Sequence, residues 1–578
     1  MKWLKKYMPV YLKMALPAWV CLTGEVFIDL SIPTLTRDIV NKGIFNKDLG
    51  FVLHTGLFML GLALFGSLLG VTRNWLSTHA SQDLGTRIRA DLFRKTQRMS
   101  LASAQKFGSS SLITRLTNDV MHVQNMSFLL TRIFIRAPLI LIGGITMAFV
   151  INAGLAFILL GTLPLMAGLI WWRMKRGFPL FQKVQTAIDR VNSMLREYLA
   201  GVRVVKVFNR FGHEAEKFDG ANANLTGLGV KAARAMATVQ PLMYILMNGS
   251  VVLALWLGGR QIAAHDMQAG DIIAFVNYFL MILQAMNMVS MIFTQGVRSK
   301  ASVDRIGEVF DAPQDMPRPA APACPPPTGA VEMRGVGFCY AGQQLPVLEE
   351  ISFRIEPGQT AAIIGSTGSG KSSLVNLIPR FHDATAGAVL LDGADVRDYD
   401  EHCLRGRIAI VPQQATLFTG TILENLRWGK PDATMEEIER AARIAQAHEF
   451  ITAKPEGYGT RIGQGGVNLS GGQKQRLCIA RALVRRPDVL ILDDSTSAVD
   501  MATERRIREG LREYCRGMTV ILIAQRIHSV MEADTILVMD GGRIARQGTH
   551  QELLEMSPVY RDIFRSQMGL DTLGREVV

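Results

Sequence analysis

Six long apolar runs before residue 300 leave this chain few ways to fold. They lie at about residues 14–39, 51–76, 129–151, 154–172, 238–260 and 271–296. Each is close to or above the roughly 20 residues a helix needs to cross a bilayer's hydrocarbon core. In that solvent a segment must pair its own backbone N–H and C=O groups, so continuous apolar runs of this length are expected to be spanning helices. Composition agrees, with 48% hydrophobic residues among 578 and a mean hydropathy of +0.18, high for a soluble chain. Glu25, Asp29 and His54 interrupt the first two runs. Met1 to Lys6 is basic, but the run behind it carries Lys13 and acidic residues and no clean small-residue cleavage site, so no removable signal peptide is expected.

Basic residues orient the spans. The second and third are joined by a segment with Arg87, Arg89, Arg94, Lys95, Arg98, Lys106 and Arg115, and the fourth and fifth by one with twelve Lys and Arg from Arg173 to Arg234. The opposite connections hold little beyond Lys42 and Lys47. The positive-inside rule therefore puts both termini and both long connections in the cytoplasm, in a plasma membrane. A net charge of +13 also raises nucleic acid as a partner, but topology accounts for much of it and no nucleic acid is expected. The long connections carry heptad-like spacing (Val191, Met194, Leu195, Tyr198, Leu199), which predicts continuous helices reaching well out of the membrane. The six cysteines, at 21, 324, 339, 403, 478 and 515, include no C-x-x-C pair and read as reduced or buried thiols.

A Pro-rich stretch from Pro313 to Pro327 reads as a linker. The expected domains are a membrane domain at 1–311, a linker at 312–328 and an α/β domain at 329–578, where strand-like and helix-like segments alternate. In the last, the apolar strand Thr360 to Ile364 runs into Gly365-Ser366-Thr367-Gly368-Ser369-Gly370-Lys371-Ser372, with Ser373 next, and a helix is expected from about Leu374. This fits G-x-x-x-x-G-K-[ST]. Its backbone N–H groups close around phosphates, Lys371 reaches the β- and γ-phosphates, and Ser372 ligates Mg²⁺. The expected ligand is Mg²⁺ with a nucleoside triphosphate.

A second motif, Leu469-Ser470-Gly471-Gly472-Gln473, is followed by Lys474-Gln475-Arg476. With it the chain resembles the ABC transporter superfamily, and within it the exporter half-transporter that fuses six spans to one ATPase domain. The resemblance extends to Arg115-Leu116-Thr117-Asn118-Asp119-Val120, the run Gly201 to Phe208, Val411-Pro412-Gln413, Ser497-Ala498-Val499-Asp500 and Gln547-Gly548-Thr549-His550. It implies an α-helical transmembrane domain with long cytoplasmic extensions and a P-loop ABC-type nucleotide-binding domain using ATP and Mg²⁺. Tyr340 matches the aromatic that stacks on adenine, with an ordinary core tyrosine as the alternative. Asp493 matches the carboxylate that holds Mg²⁺ through water, and Gln413 the glutamine that contacts Mg²⁺ or water. Leu469 to Gln473 would face ATP bound by an opposing subunit, so one chain does not complete an ATP site.

Two positions depart from the family pattern. Asp494 stands where Glu usually polarises the attacking water, and Gln525 stands where a switch histidine is expected. Asp is one methylene shorter, and misplacing a catalytic group by about 1 Å costs on the order of 100-fold. Glutamine donates a hydrogen bond but brings no imidazolium charge. The pair implies a slow site in a heterodimeric exporter whose non-identical partner carries the intact Glu and His; a homodimer with two slow sites is the alternative. The expected function is ATP-driven export of small amphipathic drug- or lipid-like molecules. A lipid or peptide exporter and an ATP-sensing membrane regulator without transport remain the competing readings. A soluble chromosome-type ABC ATPase lacks six spans and needs a coiled-coil insertion that is absent between Gly365 and Leu469, and an importer usually carries its ATPase on a separate chain.

Substrate signals are sparser. Glu25 and Asp29, four residues apart on one helix face, are candidates for a cationic substrate or outer gate, unless they sit at the interface or pair with a base. Arg132 and Arg136 are expected to snorkel. Met236, Met243, Met247, Met281, Met286, Met288 and Met291 suggest adaptable walls or plain packing, and Asn248, Asn277, Gln284 and Asn287 could add polar contacts.

Overall fold

The computed structural model describes residues 3–568, apart from 314, 315, 317, 318, 320, 341 and 344 and the side chains of 173, 174, 178, 236, 239, 240, 287, 289–294, 297 and 298. Part of the expected linker lies outside the described residues, as do the side chains of Met236, Asn287 and Met291. The chain forms two compact units. One holds Met1–Gln97 and Ser109–Ala312, the other Arg98–Gly108 and Pro313–Val578.

The first unit is helical. Among the described residues six helical stretches are long and apolar enough to cross a membrane: Met8–Ile44, Leu49–Gln97, Ser109–Ile151, Ala153–Val207, Pro241–Ala263 and Ala269–Met286. Each of the six expected spans overlaps one of them, 238–260 beginning before Pro241 and 271–296 running past Met286. Leu49–Gln97 and Ala153–Val207, at 49 and 55 residues, are about 70 to 80 Å long, far beyond a hydrocarbon thickness of about 30 Å. Three π-helical turns interrupt the ladders, at Ile39–Ile44, Arg115–Asp119 and Leu130–Phe134. Leu22, Val26, Ala137, Ile140 and Ala285 form one buried cluster; Ala148, Leu155, Leu159, Met243, Phe275 and Phe279 belong to another. Met243 lies in one of these clusters and Met247, Met281 and Met288 pack against them, so these four methionines fill helix–helix contacts. The Asn248 amide donates to its own helix at Tyr244 O, 2.9 Å away.

The structure decides between the two readings of Glu25 and Asp29 in favour of pairing, and corrects the snorkelling reading of Arg136. Glu25 and Asp29 are paired with bases. Glu25 accepts from Arg73 Nε at 2.7 Å and Arg136 Nη1 at 2.6 Å, and Asp29 accepts from Arg136 Nη2 at 2.8 Å. A carboxylate so bonded is not free to take a cationic substrate. Arg136 turns inward to these partners and does not snorkel, because desolvating an unpaired carboxylate would cost far more.

The segment Arg115 to Val120 locks the last long helix, Ala269–Phe310. Arg115 Nη1 donates to Arg305 O at 2.7 Å and Nη2 to Glu308 at 2.8 Å. Asp119, 1% exposed, accepts from Ser302 Oγ and Arg305 Nε, each at 2.8 Å. Removing one partner of a buried ion pair typically costs about 3–5 kcal/mol. Because Arg305 is half-exposed, Asp119→Asn is expected to sit at the low end, near 3 kcal/mol, read as a lowered thermal midpoint in detergent. An unchanged midpoint would refute this clamp.

In the second unit a six-stranded sheet runs in the order Arg543–Gly548, Thr535–Asp540, Thr360–Gly365, Thr519–Ile523, Val489–Asp493, Ile408–Val411. All neighbours are parallel except the first pair. Thr360–Gly365 and Val489–Asp493 are buried almost throughout, as covered parallel strands require. A four-stranded antiparallel sheet joins Leu348–Ile355, Val331–Phe338, Ala386–Leu391 and Ala394–Asp395. The thiol reading is corrected at one pair: Cys324 and Cys403 form a disulfide, Cα atoms 6.1 Å apart. Ala323 N donates to Asp398 O and Asp400 N to Ala323 O, which lays the end of the linker beside Cys403. Their separation of 79 residues left no local spacing to signal it.

Candidate functional site

Strand order explains why the motif residues converge. Four adjacent parallel strands end, in sheet order, at Gly365, Ile523, Asp493 and Val411. The loops leaving these ends carry the P-loop, Gln525, Asp494 and Gln413. Ligands of open α/β sheets bind at this carboxyl edge.

The P-loop needs its glycines. A Cβ at Gly365 would lie 2.2 Å from Met539 O, and Gly368 and Gly370 have φ of +85° and +95°, values that favour glycine. The helix Lys371–Leu377 follows. Lys371 Nζ folds over the loop, donating to Gly365 O at 2.9 Å and Ser366 O at 2.7 Å. Burial pulls its pKa down, opposed by Asp493 and Asp494. Asp493 is 8% exposed; burial pushes its carboxyl above the ordinary range, against a hydrogen bond from Ser372 and the charge of Lys371. Partly desolvated charges of both signs at one loop suit Mg²⁺ and a polyphosphate: Ser372 and Asp493 would hold the metal, which supplies charge neutralisation to the phosphates when bound. Tyr340 stands beside the loop, its hydroxyl 2.9 Å from Ser373 Oγ and its ring edge-on to Phe338 and His382.

Asp494 has φ of +47°, a left-handed backbone that few non-glycine residues adopt outside special sites. Its amide donates to Ile523 O at 2.9 Å. Its carboxylate oxygen Oδ2 accepts from Gln525 Nε2 at 2.9 Å and Gln413 Nε2 at 3.4 Å. Burial raises its pKa, opposed first by the Gln413 bond. The structure thus brings together both family departures and the Gln413 side chain.

Leu469 to Gln473 stands apart as a helix start. Ser470 caps Gly471–Val484, its hydroxyl accepting from Gln473 N while the Gln473 side chain accepts from Ser470 N, a capping box. A Cβ on Gly472 would meet Ala498 O at 2.9 Å. Gln475, 5% exposed, holds that neighbour: its Nε2 donates to Ser497 Oγ at 3.0 Å and its Oε1 accepts from Ala498 N at 2.9 Å. The motif pattern gives Gln475 no role of its own. A polar residue on the buried face of this helix was its only signal. Thr549 and His550 are structural, capping His550–Met556 and meeting Tyr560 Oη at 2.7 Å.

Residues 17–286 match the family described as the ABC transporter transmembrane region, and residues 348–497 that described as ABC transporter. The uncharacterized ABC transporter ATP-binding protein YfiB of Bacillus subtilis is 40% identical over 552 residues, 96% of each chain. The chain belongs to the ABC transporter family. Other ABC relatives include an ATP-dependent lipid A-core flippase of Chromobacterium violaceum, 31% identical over 97% of this chain and 96% of that one. A fatty acid ABC transporter ATP-binding/permease protein of Mycobacterium bovis is 34% identical over 90% of this chain and 82% of that one. A bacterial Atm1-family ABC exporter, solved with ATP bound, shares the fold at a TM-score of 0.78 and 24% identity, covering 98% and 99% of the two chains. This chain is therefore an integral membrane ABC transporter chain that fuses a transmembrane region to an ATPase domain of the kind that couples ATP hydrolysis to transport.

Proposed function

We propose that this protein exports lipid- or drug-like amphiphiles from a bacterial plasma membrane as one half of a dimer, its own P-loop site retaining ATP and hydrolysing it slowly. The proposed domains are 1–311, 312–328 and 329–578, with the ATPase domain in the cytoplasm. Gly365 to Ser373 and Tyr340 hold this chain's nucleotide, Ser372, Gln413 and Asp493 its Mg²⁺, and Leu469 to Gln473 the nucleotide of the other subunit. The names of the flippase and fatty acid relatives support a lipid-like cargo.

The bond from Gln525 to Asp494 carries the slow-site reading. Two neutral amides engage the one carboxylate positioned to polarise water, and neither brings a cation to a γ-phosphate. We infer a non-identical partner with Glu and His at these positions; a homodimer would have two slow sites. The test is single-turnover hydrolysis at this chain's site with the other site silenced. Asp494→Glu alone is expected to gain little. Asp494→Glu with Gln525→His should gain more than the singles together, because both act on one transition state. No gain in the double variant would overturn the assignment.

A further inference from the structure

The ion-pair network inside the membrane unit has more cation than anion. Three guanidiniums, on Arg73, Arg132 and Arg136, face two carboxylates, on Glu25 and Asp29. Glu25 is divided between Arg73 and Arg136, and Asp29 serves Arg136. Arg132 has no ion pair among the described residues; its guanidinium lies 5.0 Å over the Phe128 ring, within electrostatic reach of Arg73, Arg136 and Glu25. Arg136 also keeps a buried Nε–H with no acceptor. Buried donors of this kind are costly to leave unmet. Arg132 is presented by the π-helical turn Leu130–Phe134, an irregularity often found at functional sites.

Depth gives the charge a meaning. Measured from the ends at the short connections, Arg73 lies 24 residues past Leu49, and Arg136 and Arg132 lie 15 and 19 residues before Ile151. At 1.5 Å per residue these are about 36, 22 and 28 Å, against a hydrocarbon core of about 30 Å. With the orientation given by the basic connections, the cluster sits near the cytoplasmic border of the core. Phospholipid and fatty-acid headgroups of the inner leaflet occupy that level.

We propose that Arg132, with Arg136 Nε and Arg73, forms a headgroup site for an anionic amphiphile entering from the cytoplasmic leaflet, its carboxylate or phosphate oxygens bound by the surplus guanidinium. Glu25 and Asp29 hold Arg73 and Arg136 in place and reduce the surplus to one positive charge, so a singly charged headgroup is neutralised. The proposal deepens the exporter reading by naming its cargo class, and binding is measured apart from transport so that the two can fail separately.

The full-length protein in neutral detergent is titrated with palmitate as the carboxylate probe, phosphatidic acid as the phosphate probe and phosphatidylcholine as the zwitterionic control, with retained lipid counted by native mass spectrometry. Both anionic probes, or one of them, should bind about tenfold or more tighter than phosphatidylcholine, and the stronger identifies the headgroup source. Arg132→Ala should remove that preference and Arg132→Lys should keep part of it, both with an unchanged thermal midpoint because Arg132 holds no ion pair. Equal binding of all three lipids, or an anionic preference that survives Arg132→Ala, would overturn the site. Lipid-independent ATP turnover or absent transport bears on the exporter reading alone.

Discussion

Gly471→Asp is expected to remove ATP turnover and transport together, by on the order of 100-fold or more, the scale on which single groups at a developing phosphate or oxyanion charge act. Position 471 opens the helix Gly471–Val484 directly after its cap, Ser470. A Cβ there would meet Ala498 Cβ at 3.4 Å, an ordinary contact, so the domain should still fold. A carboxylate at that helix start would oppose the phosphate of a nucleotide arriving from the other subunit. Gly471→Ala separates charge from bulk and should keep most of the activity. ATPase rates of the purified assembly decide it; a Gly471→Asp protein that turns over normally would mean this surface meets no nucleotide.

Lys371→Ala should weaken nucleotide binding at this chain's P-loop by about 10- to 100-fold, the worth of a hydrogen bond to a charged group. Lys371 bonds to its own loop, and burial lowers its pKa. Its removal should therefore leave the ligand-free thermal midpoint nearly unchanged while erasing the shift that Mg-ATP produces. A variant that retains the full nucleotide-induced shift would show that the loop is wrongly assigned.

The membrane helices were legible because a bilayer tolerates so few alternatives for apolar runs. The P-loop was legible because its glycines are demanded by backbone geometry, seen at Gly365 and Gly370. Contacts between segments distant in sequence were not legible. Nothing near Glu25 pointed to Arg73 or Arg136, 48 and 111 positions away, so pairing with a base stood as one alternative beside a cation site, with no partner named. Likewise, the packing of the linker against Asp398 and Asp400, far away in sequence, brings Cys324 to Cys403. Asp494 and Gln525 stood out as departures from a pattern, but their bond depends on adjacent strands ending side by side.

On the proposed function, ATP turnover drives an amphiphile outward. This is tested most directly in sealed proteoliposomes with the ATPase domain facing the added nucleotide, by following a fluorescent amphiphile from the ATP-exposed leaflet to the other. The expected result is movement that requires Mg-ATP and is abolished by Gly471→Asp. ATP turnover sensitive to Gly471→Asp, with no movement of acidic, zwitterionic or cationic amphiphiles, would contradict it and favour an ATP-sensing regulator.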